Sequence, residues 1–146
     1  LPALTVLTVI DWLSSLASAA PLPPIPYPPF LEGPYIREMP DRVIHVTLQP
    51  GLGYAFEAAI DQPTFQVRCR SDQNNQPSGE FLAQDLDYRI RNARYPTEMN
   101  FTNDNVSLNT AVQLVTRAAG APAPLGPPDD GMRFEYVCTY RCIVGV

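Results

Sequence analysis

Lysine is absent from this sequence: all ten basic residues are arginine, and fifteen acidic residues leave a formal net charge of −5. The missing lysine reads mainly as coding bias toward a GC-rich genome, although arginine also suits interfaces because its planar fork pairs bidentately. An acidic chain without a basic stripe lacks the term that supplies most nucleic-acid affinity, so tight DNA or RNA binding is not expected. Charge of either sign is scarce as well. Only 17% of residues are charged and 45% are apolar, against roughly 25% charged in an ordinary soluble domain, so much of the surface is neutral or covered by a partner. Cysteine is rare and odd in number, Cys69, Cys138 and Cys142, which argues against a disulfide framework and fits a reducing, cytosolic setting. No run approaches the roughly 18 apolar residues of a membrane span. The nearest, Leu4 to Leu16, leads into Ala17-Ser18-Ala19-Ala20 in the manner of a signal peptide. No Lys or Arg precedes it, however, and Asp11 interrupts it. Val6, Val9, Ile10, Leu13, Leu16, Ala17 and Ala20 fall on one helical face and Thr5, Thr8, Asp11, Ser15 and Ser18 on the other, so a core-packed amphipathic helix is the better reading.

What is present organises into one domain over residues 1–146, a length that buries about 68–70% of the unfolded surface in one core. Residues 1–20 read as the N-terminal helix and 21–34 as a proline-rich strap. Six of the ten residues from Pro21 to Phe30 are proline, which forbids helix and central strand and leaves an extended, polyproline-like path. The interleaved Leu22, Ile25, Tyr27 and Phe30 suggest docking, on its own domain or on a neighbouring subunit.

Residues 35–146 read as an α+β core. Strands are expected over Tyr35 to Met39, Arg42 to Leu48 and Thr64 to Arg70, with Tyr54 to Ile60 a short strand or arm. Alternation puts Ile44, Val46 and Leu48 inward against His45 and Thr47. In the same way Phe65, Val67 and Cys69 point inward and Gln66, Arg68 and Arg70 outward. Ser78 reads as the N-cap of a helix whose apolar stripe is Phe81, Leu82, Leu86, Ile90 and Ala93, with Glu80, Gln84, Asp87, Arg91 and Arg94 on the other face and Pro96 as its close. Two further strands, Val106 to Arg117 and Met132 to Val144, are joined by Ala118 to Gly131, which holds four prolines and three glycines and is long enough to suggest a functional loop. The whole implies an antiparallel or mixed sheet of about four to five strands with two helices mainly on one face.

Catalytic chemistry finds little purchase. His45 is the one histidine; without a local nucleophile or orienting carboxylate it reads as a surface or interface residue, and a small hydrolase built on it is the remote alternative. Cys138 and Cys142, four apart on one strand, lie about 13 Å apart, too far to share a metal ion. With Phe134, Tyr136, Tyr140 and Val144 they make one apolar face that Cys69 is expected to join from a neighbouring strand, a disulfide there being the minor reading. Gly51-Leu52-Gly53 lacks the third glycine of a dinucleotide fingerprint and reads as a turn. Asp85 and Asp87 point in different directions on their helix, and Asp129-Asp130-Gly131 reads as a solvated turn. The expectation is a protein that is no enzyme and takes no cofactor or metal.

Three segments, Pro40-Asp41-Arg42-Val43-Ile44-His45-Val46, Asp61 to Arg70, and the helix from Ser78 to Tyr95, together resemble the tail terminator proteins of long-tailed bacteriophages, especially those infecting actinobacteria, which are often filed as minor capsid or head-to-tail connector proteins. The resemblance covers about residues 35 to 95, and the C-terminal strand pair fits in order and length. It implies a virion protein of the tail–neck junction, assembled in the host cytoplasm without a membrane. Such proteins form a ring, usually of six copies, that caps the tail tube, ends its growth and meets the head-completion or neck protein, with genomic DNA only in transit through the lumen. A head-closure connector or a tail tube subunit is the neighbouring alternative.

A closed ring needs two different patches on each subunit. The candidates are Gln66, Arg68 and Arg70 on the outward strand face; Gly51, Leu52 and Tyr54 in the glycine turn; Arg91 and Arg94 on the second helix; and Pro24, Tyr27 and Phe30 in the strap.

Overall fold

The computed structural model describes residues 4–18, 27–32, 41–49, 60–103 and 106–145. The expected strand over 35–39, the glycine turn over 49–53 beyond Gln49, most of the arm over 54–60, and the strap before Tyr27 lie outside them. The first helix, α1 (Val6–Ala17), is set by a reciprocal cap: Thr5 accepts from the Thr8 amide through its side chain while Thr8 accepts from the Thr5 amide. This corrects the sequence reading at Thr8, which is fully buried rather than on a solvated face, because the cap and a 2.7 Å bond from its hydroxyl to the Thr5 carbonyl satisfy it there. Val9, Trp12, Leu13 and Ala17 form the buried stripe, and Asp11 and Ser15 stay exposed.

The strands are β1 (Phe30–Glu32), β2 (Val43–Gln49), β3 (Ile60–Asp61), β4 (Thr64–Arg70), β5 (Thr97–Asn103), β6 (Val106–Arg117), β7 (Ala123–Pro124) and β8 (Glu135–Gly145). They build one curled mixed sheet in the order β1-β2-β4-β8-β6-β5, with β3 and β7 also on β8. Among the described strands, only β1 runs parallel to its neighbour, β2. This is the expected α+β class with more strands than expected. Two of the additions come from stretches rich in proline: β1 emerges from the strap, where the Pro29 carbonyl accepts from the Ile44 amide at 3.1 Å, and β7 pins part of the long Ala118–Gly131 connection to Tyr136 and Val137. The pairings Asp61↔Val144 and Thr64↔Arg141 share one register. β3 and β4 are thus one ladder, interrupted at Pro63, which has no amide to donate but accepts from Cys142 at 2.9 Å.

The second helix, α2 (Gln76–Arg91), starts one turn earlier than expected. Asn75 is its N-cap residue and Pro77 sits in the first turn; Ser78 instead accepts from the Asp72 amide and donates to the Asn75 carbonyl, tying the helix start to the end of β4. Gly79 allows that approach, since a Cβ there would lie 3.0 Å from the Ser71 backbone nitrogen. Both helices pack on one sheet face, whose core joins Ile44, Val46, Phe65, Val67, Cys69, Tyr136, Cys138, Tyr140, Cys142, Val144, Val112, Val115 and Met99 to Leu13, Trp12, Leu82, Leu86 and Ile90. Phe65 and Tyr140, directly opposed on β4 and β8, stack at 5.3 Å. At roughly 1.5–3 kcal/mol per large side chain, this face is the main stabilising term of the fold.

Candidate assembly surfaces

The sheet face away from the helices carries the outward strand residues, and it is less open than alternation implies. Gln66 and Arg68 are half-buried, and Arg68 donates to Glu135 at 2.7 Å with both side chains at or below 20% exposure. Arg70, expected outward and solvated, is 3% exposed. It donates through Nε to the Asp41 carbonyl at 2.7 Å, and burial together with the neighbouring Arg133 charge pulls its pKa down. His45 is likewise no surface residue: it is 1% exposed beside Val43, paired in register with Arg68 on one side and Leu31 on the other. Val43, His45 and Arg70 are thus buried on the face away from the helices, which period-2 reasoning alone does not reveal. His45 stands on the opposite face of the sheet from Cys69 and the other thiols, so the geometry brings it no sulfur nucleophile.

All three cysteines are free and buried on the helix face. Burial pushes the thiols of Cys69 and Cys142 up to about 12 and raises that of Cys138, the reverse of a reactive cysteine. Among the described residues, no group of three or more His, Cys, Asp or Glu side chains is placed to hold a metal ion.

Two polar clusters lock α2 in place, and the sequence reading missed both. Asp87, expected on a solvated face, is fully buried. Its carboxylate accepts from the Tyr140 hydroxyl at 2.8 Å, from Arg91 Nε at 2.9 Å and from Arg117 through both Nε (3.1 Å) and Nη2. Burial alone would raise the pKa of Asp87, but the bonds from Arg117, Tyr140 and Arg91 outweigh it and hold the pKa below the usual carboxylate range. Arg91, a candidate interface residue, is thus committed within its own chain while half its side chain stays exposed; Arg94 is exposed.

The second cluster centres on Arg89, 4% exposed. It donates to Asp85 at 2.8 Å and to the Leu16 carbonyl at the end of α1 at 2.9 Å, where a cation complements the helix dipole. Tyr27 donates its hydroxyl to the same Asp85, lies 5.9 Å from the Arg89 guanidinium and stacks on Phe30 at 6.0 Å. Burial, then the Asp85 contact, raises the Tyr27 pKa. The described end of the strap therefore docks on its own chain, and both Tyr27 and Phe30 pack against its core. Pro24, Gly51, Leu52 and Tyr54 lie outside the described residues. Asp85 and Asp87 do point apart, each into a different cluster.

Among the described residues, several large apolar side chains stand exposed. Phe81, expected in the buried stripe of α2, is 61% exposed, Tyr88 47% and Leu125 41%. With Leu82 and Leu86 filling the core, Phe81 is rotated about 100° from Leu82 and out of reach of the sheet. Phe81 and Tyr88 share one side of α2, while Leu125 lies on the connection between β6 and β8. No family model matches the chain, and no curated protein matches it in sequence.

Proposed function

We propose that the chain is a structural subunit of a bacteriophage virion, a tail terminator that assembles as a ring on the end of the tail tube, stops its polymerisation and presents its other side to the neck. The observation that carries the reading is the succession from Pro40 to Tyr95 that resembles that family. Its three parts occupy one continuous stretch of the fold, β2, then β3 and β4, then α2. The acidic net charge of −5 is compatible with it, because a lumen through which DNA slides should not hold phosphates. The polar clusters support it too: they spend the buried charges on fixing α2 and the strap, which makes a rigid block for stacking. In this reading the protein performs no catalysis and takes no cofactor. The ring has six copies, the tube protein on one face and the head-completion protein on the other.

The test is to add purified protein to tail tube subunits as they polymerise. A terminator arrests growth at tube ends in a dose-dependent way and appears there as a cap. Tubes of open length formed by this protein alone would identify a tube subunit instead, and tubes that grow undisturbed would refute the proposal.

A further inference from the structure

Among the described residues, one exposed apolar patch lies on α2 and another on the connection between β6 and β8. Phe81 and Tyr88 lie seven residues apart on α2, two turns and about 10.5 Å along the axis and nearly in line. Pro77 and Gln84, both exposed, extend the same side of the helix. At its C-terminal end stand the half-exposed Arg91 and the exposed Arg94. The second patch is the turn at 122–128, where Pro124, Leu125 and Pro127 are exposed. Gly126 adopts a left-handed conformation (φ +70) that turns the chain sharply after Leu125. Immediately after it come Asp129 and Asp130, both exposed.

We propose that these are the two halves of one contact between copies of this chain, the aromatic stripe on α2 of one copy seating the proline–leucine knob of the next. Flat aromatic rings are the natural seat for proline and leucine, as in the aromatic grooves that bind proline-rich segments. The exposed charges agree at one end: Arg94 stands beyond the C-terminal end of the stripe and Asp130 follows the knob, whereas Arg91 and Asp129 are held by Asp87 and Arg133 of their own chain, so Arg94 and Asp130 favour one orientation over the reverse. The knob is also ordered before it binds. The Leu125 amide donates to the Glu135 carbonyl at 2.9 Å and the Asp129 amide to the Arg133 carbonyl at 3.1 Å. The Asp129 carboxylate caps the amides of Gly131 and Arg133, so little entropy is lost on docking. Stripe and knob both remain exposed within one chain, and because they differ the contact is heterologous, the kind that closes into a ring. Two aromatics and a leucine form the anchor of such an interface; other surfaces supply the rest of the roughly 800 Å² per partner that a stable contact needs.

This inference rests on the ring reading, and the experiment separates the two. Wild type, Phe81→Glu and Leu125→Glu are compared by light scattering after gel filtration, with circular dichroism confirming the fold, which exposed positions should tolerate. Each variant alone should associate at least about tenfold more weakly than wild type, as expected for an anchor residue. An equimolar mixture should recover a one-to-one pair and stop there, because Leu125→Glu keeps an intact stripe and Phe81→Glu an intact knob. Arg94→Glu and Asp130→Arg should each weaken assembly, and the double exchange should restore it. If wild type forms rings that both variants also form, the ring stands and this contact falls. If the two variants fail to pair, the contact is not heterologous and the proposal is overturned. A wild type that is monomeric throughout sinks both.

Discussion

Replacing Asp87 with asparagine keeps the shape of the side chain and removes its charge from the centre of a cluster of two arginines and a tyrosine. Asparagine can still accept from Tyr140, but its amide nitrogen faces guanidinium groups that themselves only donate. Removing one partner of a fully buried ion pair costs about 3–5 kcal/mol. Here Arg117 and Arg91 retain 28% and 47% exposure and can rehydrate, which brings the expected loss to about 2–3 kcal/mol, at the scale of one or two charged hydrogen bonds. For a chain of this size that lowers the melting temperature by roughly 5–10 °C. Urea unfolding at pH 7 reads the free energy directly, with Asp11→Asn on the exposed side of α1 as a control expected to change it by less than about 0.5 kcal/mol. The pH dependence gives a second reading. The pKa of Asp87 is lowered in the folded chain, so its stabilisation is complete above the ordinary carboxylate range and is lost as pH falls through its depressed folded value. Asp87→Asn should therefore lose the most at neutral pH and progressively less toward strong acid. A variant as stable as the Asp11→Asn control, or a gap from wild type that widens with acid, would refute this account of the cluster.

Tyr27→Phe removes the hydroxyl that meets Asp85 and should cost about 1 kcal/mol in urea unfolding. Gly79→Ala sets a methyl 3.0 Å from the Ser71 backbone and should destabilise by about 1–3 kcal/mol, although alanine ordinarily favours helix. The three thiols, buried and with pKa values pushed upward, should resist a disulfide reagent at pH 8 in the native protein and titrate as three per chain once unfolded. Rapid labelling of the native protein would contradict their placement.

The elements with strict periodicity were legible in the sequence: the stripe of α1, the alternation Phe65, Val67, Cys69 of β4, and the apolar face of β8 from Tyr136 to Val144. Of the missed strands, β5 reads Thr-Glu-Met-Asn-Phe-Thr-Asn, where asparagine and glutamate dilute the strand preference and pairing with β6 decides the conformation instead. The surfaces were the harder part. Asp87 and Arg70 look solvated because charge usually is, and the partners that make burial possible come from distant positions: Tyr140 lies 53 residues from Asp87, and Asp41 29 from Arg70. Phe81 errs the other way, since hydrophobicity placed it in the stripe while Leu82 and Leu86 were already sufficient to fill it. Local pattern yields secondary structure, but which charges are buried and which aromatics are left over is settled by tertiary contacts.

The central claim, that this chain works by closing a ring of its own copies, is tested most directly by native mass spectrometry of the purified full chain. The account predicts one dominant species at six times the chain mass, about 97 kDa for a 16.1 kDa chain, in keeping with closed point-group symmetry. A single 16.1 kDa species at every concentration, or an open ladder of oligomers with no preferred size, would contradict it.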